Sequence, residues 1–160
     1  MCNLYSLETG DLFATWEKVL RLPVVWDGQA SNLQPLPEIR MTDIAPIVRH
    51  VGDQAKVSMT RWSWPSPSGK PVFNFVTEGR DFSGSDRVLI PADAFYEFTD
   101  KVQPKQKRMT RWKFTMVDNP VFWIAGIVQK GGWTMLTTEP GEDIKPYHDR
   151  QVVVDRKSVV

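Results

Sequence analysis

From Ile44 onward the chain is a succession of short runs rich in β-branched, aromatic and aliphatic residues, each broken off by Gly, Pro or Asp. That pattern predicts strands at 44–51, 57–64, 72–76, 87–90, 95–98, 110–117, 121–128 and 133–138. Residues 111–116 alternate cleanly: Trp112, Phe114 and Met116 fall on one face, and Arg111, Lys113 and Thr115 on the other. Residues 121–128 are apolar on both faces, which suits a central strand, and Asp118-Asn119-Pro120 supplies the turn before it. Many strands at short spacing predict an α+β fold, mostly antiparallel β with a barrel-like sheet, one N-terminal helix and few short helices.

The helix is predicted over 7–21, where Leu12, Phe13, Trp16, Val19 and Leu20 recur at three-to-four spacing. Thr9 or Asp11 would cap it and Pro23 would stop it. Residues 24–43 carry Pro35 and Pro37 among polar residues and read as an irregular segment; Pro65 to Pro71 reads as a loop. With 160 residues, 41% of them apolar, the chain is expected to be a single domain over 1–160 with a real core. One cysteine excludes an internal disulfide framework and a thiolate zinc cluster, and the histidines and carboxylates show no ligand spacing, so neither metal nor cofactor is expected. No signal peptide and no membrane-length apolar stretch is present, which predicts a cytoplasmic protein with no membrane partner. A net charge of +1 gives no global case for nucleic acid, so any such binding must rest on a local patch.

The lone cysteine is residue two. Removal of Met1 would leave Cys2 with an α-amine and a thiol on neighbouring carbons, a 1,2-aminothiol that condenses with aldehydes: the amine forms a Schiff base and the thiol closes a thiazolidine. Three further residues invite chemistry. His148 lies in Pro146-Tyr147-His148-Asp149-Arg150, as an exposed loop histidine or a proton carrier. Glu97, between Tyr96 and Phe98, is either a rim carboxylate in water or a desolvated acid of raised pKa. Asn74, between Phe73 and Phe75, is a strand-edge amide or a placed hydrogen-bonding group.

Taken in order, Met1-Cys2-Asn3-Leu4-Tyr5-Ser6, Arg61-Trp62, Asn74 with Glu78, Pro91 to Phe98, Ile124-Ala125-Gly126, Thr137-Thr138 and His148-Asp149-Arg150 resemble the SOS response-associated peptidase family of abasic-site crosslinking proteins. The resemblance implies that Cys2 links covalently to abasic sites in single-stranded DNA once Met1 is lost. It implies that His148 and Glu97 move the protons, and that Asn74 positions the chain start. It also implies a DNA-contacting set of Arg61, Trp62, Trp64, Thr137 and Arg150, with the arginines as a cationic track and the tryptophans either as stacking platforms or, as for most of the 7 tryptophans in the chain, as core. Arg80, Arg111 and Lys113, and the basic run Lys101, Lys105, Lys107 and Arg108, are further candidates, although a solvated hairpin loop explains that run as well. Departures bear on DNA contact: Asn3 and Leu4 replace the glycine and arginine common after the cysteine, Val76 stands where arginine is common, and Trp62-Ser63-Trp64 replaces Trp-Gly-Leu. The sequence ends ten residues beyond Arg150, which reads as a short-form member or a chain lacking its tail. Two other functions fit some of the same residues: a thiol autopeptidase using Cys2 and His148, and a non-catalytic β-rich nucleic-acid-binding module. Oligomeric state is not legible.

Overall fold

A computed structural model describes residues 2–8 and 12–155 of the chain. In chain order the elements are β1 (Leu4–Leu7), α1 (Leu12–Leu20), β2 (Val24–Trp26), β3 (Leu36–Arg40), β4 (Ile44–Val51), β5 (Gln54–Trp62), β6 (Trp64–Pro65) and β7 (Pro71–Val72). They continue with β8 (Asn74–Val76), β9 (Asp86–Ala92), β10 (Ala94–Thr99), β11 (Thr110–Phe114), β12 (Phe122–Gln129), β13 (Gly132–Thr138), β14 (Gln151–Val152) and β15 (Val154–Asp155). Two sheets carry the architecture. The larger runs β14-β13-β12-β9-β4-β5-β2, with β8 and β15 added to β13 and β12; the smaller is four-stranded in the order β11-β10-β1-β3.

A parallel pairing of β13 with β5, Gly132 opposite Arg61 and Trp133 opposite Trp62, closes the circuit β13-β12-β9-β4-β5. The barrel-like expectation therefore has a physical form, since closure removes the unpaired edges that an open sheet would expose. Two tight hairpins set the register. Gln129 pairs with Gly132 across Lys130 (φ 51°) and Gly131 (φ 75°), and this double positive φ matches the right-handed twist of the flanking strands. Gly52 (φ 62°) lies in the two-residue connection between Val51 and Gln54.

Inside the barrel, Trp62 and Trp133 stack in parallel with centroids 5.3 Å apart, and Tyr5 packs edge-on against Trp62 at the same distance. The helix α1 covers one side: Trp16 and Leu20 are buried, with Trp16 edge-on to Trp123 at 5.6 Å. Arg21 ends it in the left-handed region (φ 55°), its N–H returning to Glu17 O at 2.9 Å, before Pro23 forbids continuation.

Several expectations need correction. The helix begins at Leu12 rather than residue 7, because Leu7 belongs to β1; the suggested caps Thr9 and Asp11 lie outside the described residues. Residues 24–43 are not wholly irregular, since they contain β2 and β3. Both β1 and β3 escape a periodicity test: β1 is buried on both faces, so it does not alternate, and β3 includes Pro37, which is tolerated because β3 lies at the edge of its sheet. The few short helices are replaced by turns, and α1 is the one helix among the described residues. No helix among them is long and apolar enough to cross a membrane.

Candidate functional site

Cys2 lies just before β1 and is buried, its thiol donating to Leu4 O at 3.4 Å. Asn74 at the start of β8 fixes it from the barrel side, Nδ2 donating to Cys2 O at 2.8 Å. The position of Asn74 follows from the parallel pairing of β8 with β13, which sets it opposite Met135. Its Oδ1 is buried with no hydrogen-bond partner among the described residues, so among them the bond to Cys2 is what orients the amide. In the smaller sheet, Tyr5 of β1 stands opposite Phe95 of β10, which runs the start of the chain back along Glu97.

Glu97 is 1% exposed. Burial raises its pKa to about 7, and the nearby Asp149 charge pushes the same way. Of the two options open for this carboxyl, the structure takes the desolvated acid.

His148 follows a helical turn in which Lys145 N and His148 N bond Gly141 O (2.9 Å) and Ile144 O (3.0 Å), with Ile144 buried beneath. Tyr147 anchors that turn, its ring 4.6 Å from Trp112 and 5.4 Å from Phe114. Because Trp112 pairs directly with Glu97, the aromatic contact holds the histidine loop over the acid. The His148 side chain is 20% exposed, with Nε2 3.9 Å from Glu97 Oε2, close enough for a proton to pass through a small movement or one water. On the other side of the ring, Nδ1 is 3.0 Å from both Arg150 N and Asp149 Oδ1. These contacts need opposite protonation states. Burial lowers the His148 pKa, so we assign the neutral ring, with Nδ1 accepting from Arg150 N–H and Nε2 carrying the hydrogen toward Glu97; Asp149, largely in water, becomes the partner of Nδ1 when the ring protonates.

Burial, reinforced by the Glu97 charge, pushes the Cys2 thiol up to about 12. Near neutrality the site therefore contains a thiol rather than a thiolate, a neutral imidazole, and a carboxyl that takes or gives a proton readily. It opens on a cleft of about 1010 Å³ lined by Asn3, Leu4, Glu38, Arg40, Met41, Glu97, Phe98, Arg108, Met109, Arg111 and His148.

The structure thus gathers Cys2, Asn74, Glu97 and His148, and treats the expected DNA-contacting set differently. Trp62 has no free face: its ring is 0% exposed, its Nε1 donates to Phe73 O at 2.9 Å, and Trp133 covers it. Trp64 is buried against Phe75. Both tryptophans are core rather than stacking platforms: barrel closure turns Trp62 inward against Trp133, and Trp64 is covered by a separate cluster of Val72, Phe75, Ile127 and Leu136. Arg150 and Thr137 do meet, but in an internal brace: Arg150 Nη2 bonds Thr137 O (2.8 Å) and Glu78 Oε2 (2.8 Å), while Nη1 bonds Glu78 Oε1 (3.0 Å). That hydrogen-bonded guanidinium holds the Glu78 carboxyl down at about 2. Arg61 is exposed on β5 and does not line the cleft. Cations at the cleft come instead from Arg40, Arg108 and Arg111. Arg108 and Arg111 belong to recognisable basic stretches, whereas no sequence signal marks Arg40 or Tyr147; strand pairing and loop packing alone bring them to the site. No group of three or more His, Cys, Asp or Glu suited to a metal ion occurs among the described residues.

The sequence profile of the family described as SOS response associated peptidase (SRAP) matches residues 1–159. Among curated proteins, the abasic site processing protein YoaM of Bacillus subtilis (strain 168) is 35% identical over 79 residues, covering 44% of this chain and 34% of that protein's length. Among solved structures, a phage-related protein of Bordetella bronchiseptica superposes with a TM-score of 0.65 at 17% identity over 96% of this chain and 76% of that one. A protein of Bacteroides thetaiotaomicron superposes with the same TM-score and coverage at 16% identity. At those identities the likeness is one of fold.

Proposed function

Because the chain belongs to the SOS response associated peptidase family, we propose that it processes abasic sites in DNA, forming a covalent link from Cys2 to the lesion in single-stranded DNA once Met1 has been removed. Met1 lies outside the described residues. The likeness to an abasic site processing protein supports the DNA-damage class, and the observation that carries the finer chemistry is the set of groups around Cys2: an amide holding its carbonyl and a buried acid facing a neutral imidazole.

In this reading the freed Cys2 amine attacks C1′ of the ring-opened sugar, giving a carbinolamine. Glu97, its pKa raised by burial, donates a proton to the departing hydroxyl; water leaves and an imine forms. The Cys2 thiol then adds to the imine carbon, its proton passing to the nitrogen, and the five-membered thiazolidine closes. His148 serves the sugar-ring oxygen during opening, and Asn74 fixes the main chain so that both nucleophiles meet one carbon. An amine-first order suits a thiol held protonated up to about 12, whereas a thiol peptidase would need the thiolate that burial and Glu97 disfavour. The family's peptidase label is accommodated by release of Met1.

Incubation of the protein with an abasic single-stranded oligonucleotide, followed by denaturing electrophoresis, tests the reading. A shifted band lost in Cys2→Ala is expected, with intact mass showing Met1 absent from the reactive species. No band, or an equal band from Cys2→Ala, refutes it.

A further inference from the structure

Across the outer face of the smaller sheet a single carboxylate bridges two guanidiniums. Glu38 of β3 accepts from Arg40 Nη2 at 2.6 Å through Oε2 and from Arg111 Nη1 at 2.8 Å through Oε1. The strand order β11-β10-β1-β3 makes the second bridge unusual, because Arg111 and Glu38 stand on opposite edge strands. Their ion pair crosses the two strands between them, above an apolar patch of Leu4, Tyr96 and Phe98. Register agrees, since Arg111 stands opposite Phe98 and Arg40 opposite Leu4, while the Arg111 guanidinium lies 5.1 Å from the centroid of Tyr96. All three charged side chains are substantially exposed, and all line the cleft that reaches Glu97 and His148.

We propose that Glu38 is a built-in competitor for the phosphodiester backbone: it occupies the Arg40–Arg111 pair in the free protein and is displaced when a single-stranded nucleic acid enters the cleft. The identity of the strand as DNA rests on the function proposed above. Two planar guanidiniums converging on one carboxylate present the donor geometry that a phosphate oxygen pair also satisfies. Exposed ion pairs of this kind are weak and screened by salt, so displacement is feasible. Its consequence is selectivity. With Glu38 in place the subsite carries one net positive charge instead of two, which holds non-covalent affinity for undamaged strands low and leaves retention to the covalent step.

The test compares wild type, Glu38→Gln, and Glu38→Gln combined with Arg40→Gln, measuring binding of a labelled undamaged single strand by fluorescence anisotropy across a range of potassium chloride. Glu38→Gln is expected to bind several-fold tighter at low salt, with a log–log salt slope steeper by about 0.7 for each arginine released. The double variant should lose most of that gain. Unchanged affinity and slope in Glu38→Gln, or a gain that survives loss of Arg40, would overturn the proposal. The same proteins are assayed for crosslinking to an abasic strand: a salt effect as expected with no crosslink in any variant removes the covalent function and leaves the phosphodiester subsite standing.

Discussion

Replacing Glu97 by Gln should abolish a specific part of the protein's pH dependence of stability. The Glu97 carboxyl is buried and its pKa is raised from 4.5 to about 7. Below pH 4.5 it is protonated in both folded and unfolded chains and costs nothing. Above that point the unfolded chain releases its proton first, so folding is penalised increasingly until the folded group also ionises near 7, after which the penalty is constant. Integrating over the shift, wild type loses roughly 3 kcal/mol of stability through this group alone, most of it between about pH 4.5 and 7.5. Glutamine is nearly isosteric with the protonated acid and does not titrate. Urea unfolding of both at a series of pH values supplies the measurement. The expected result is that Glu97→Gln gains steadily on wild type as pH rises from 5 to 8 and then holds its lead. Parallel curves would show that the carboxyl is not desolvated in the folded protein, and the proton-transfer role built on it would fall as well.

The barrel seam offers a pair of opposite outcomes in the same unfolding assay. A Cβ on Gly132 would overlap the main-chain carbonyl of Ser63, so Gly132→Ala should destabilise by about 1–3 kcal/mol. Ser63 has φ 134°, a region that favours glycine, so Ser63→Gly should stabilise by about 1 kcal/mol after the entropy cost of glycine in the unfolded chain is deducted. Tyr147 is expected to act as a positioning residue through its contacts with Trp112 and Phe114. Tyr147→Ala should slow crosslinking about tenfold and shift its pH optimum as His148 moves away from Glu97, while Tyr147→Phe should retain both; an unshifted optimum in Tyr147→Ala would show that the ring merely packs.

The sequence was most informative where a strand has one wet face. Residues 111–116 alternate, and the structure gives half-buried Trp112, Phe114 and Met116 against exposed Arg111, Lys113 and Thr115. Where both faces are buried, as in β1, or where the strand is a short edge, as in β3, local pattern carries no such signal, and pairing with distant strands decides the conformation. The same distinction separates the candidate residues. Cys2, Asn74, Glu97 and His148 are chemically marked and could be named from order and type, but nothing local says that Glu97 loses its water or that Asn74 bonds the Cys2 carbonyl. Trp62 shows the converse: its residue type invites a stacking role, and barrel closure against Trp133 removes the face that role requires.

What the sequence determined by itself is the β-rich class, the single amphipathic helix and the inventory of reactive groups, because these depend on the chemistry of residues near one another in the chain. Only the tertiary structure decided which groups meet at one site, which arginines face the cleft and which are consumed in internal braces. Those properties depend on burial and on distance through space, and strands far apart in sequence set both.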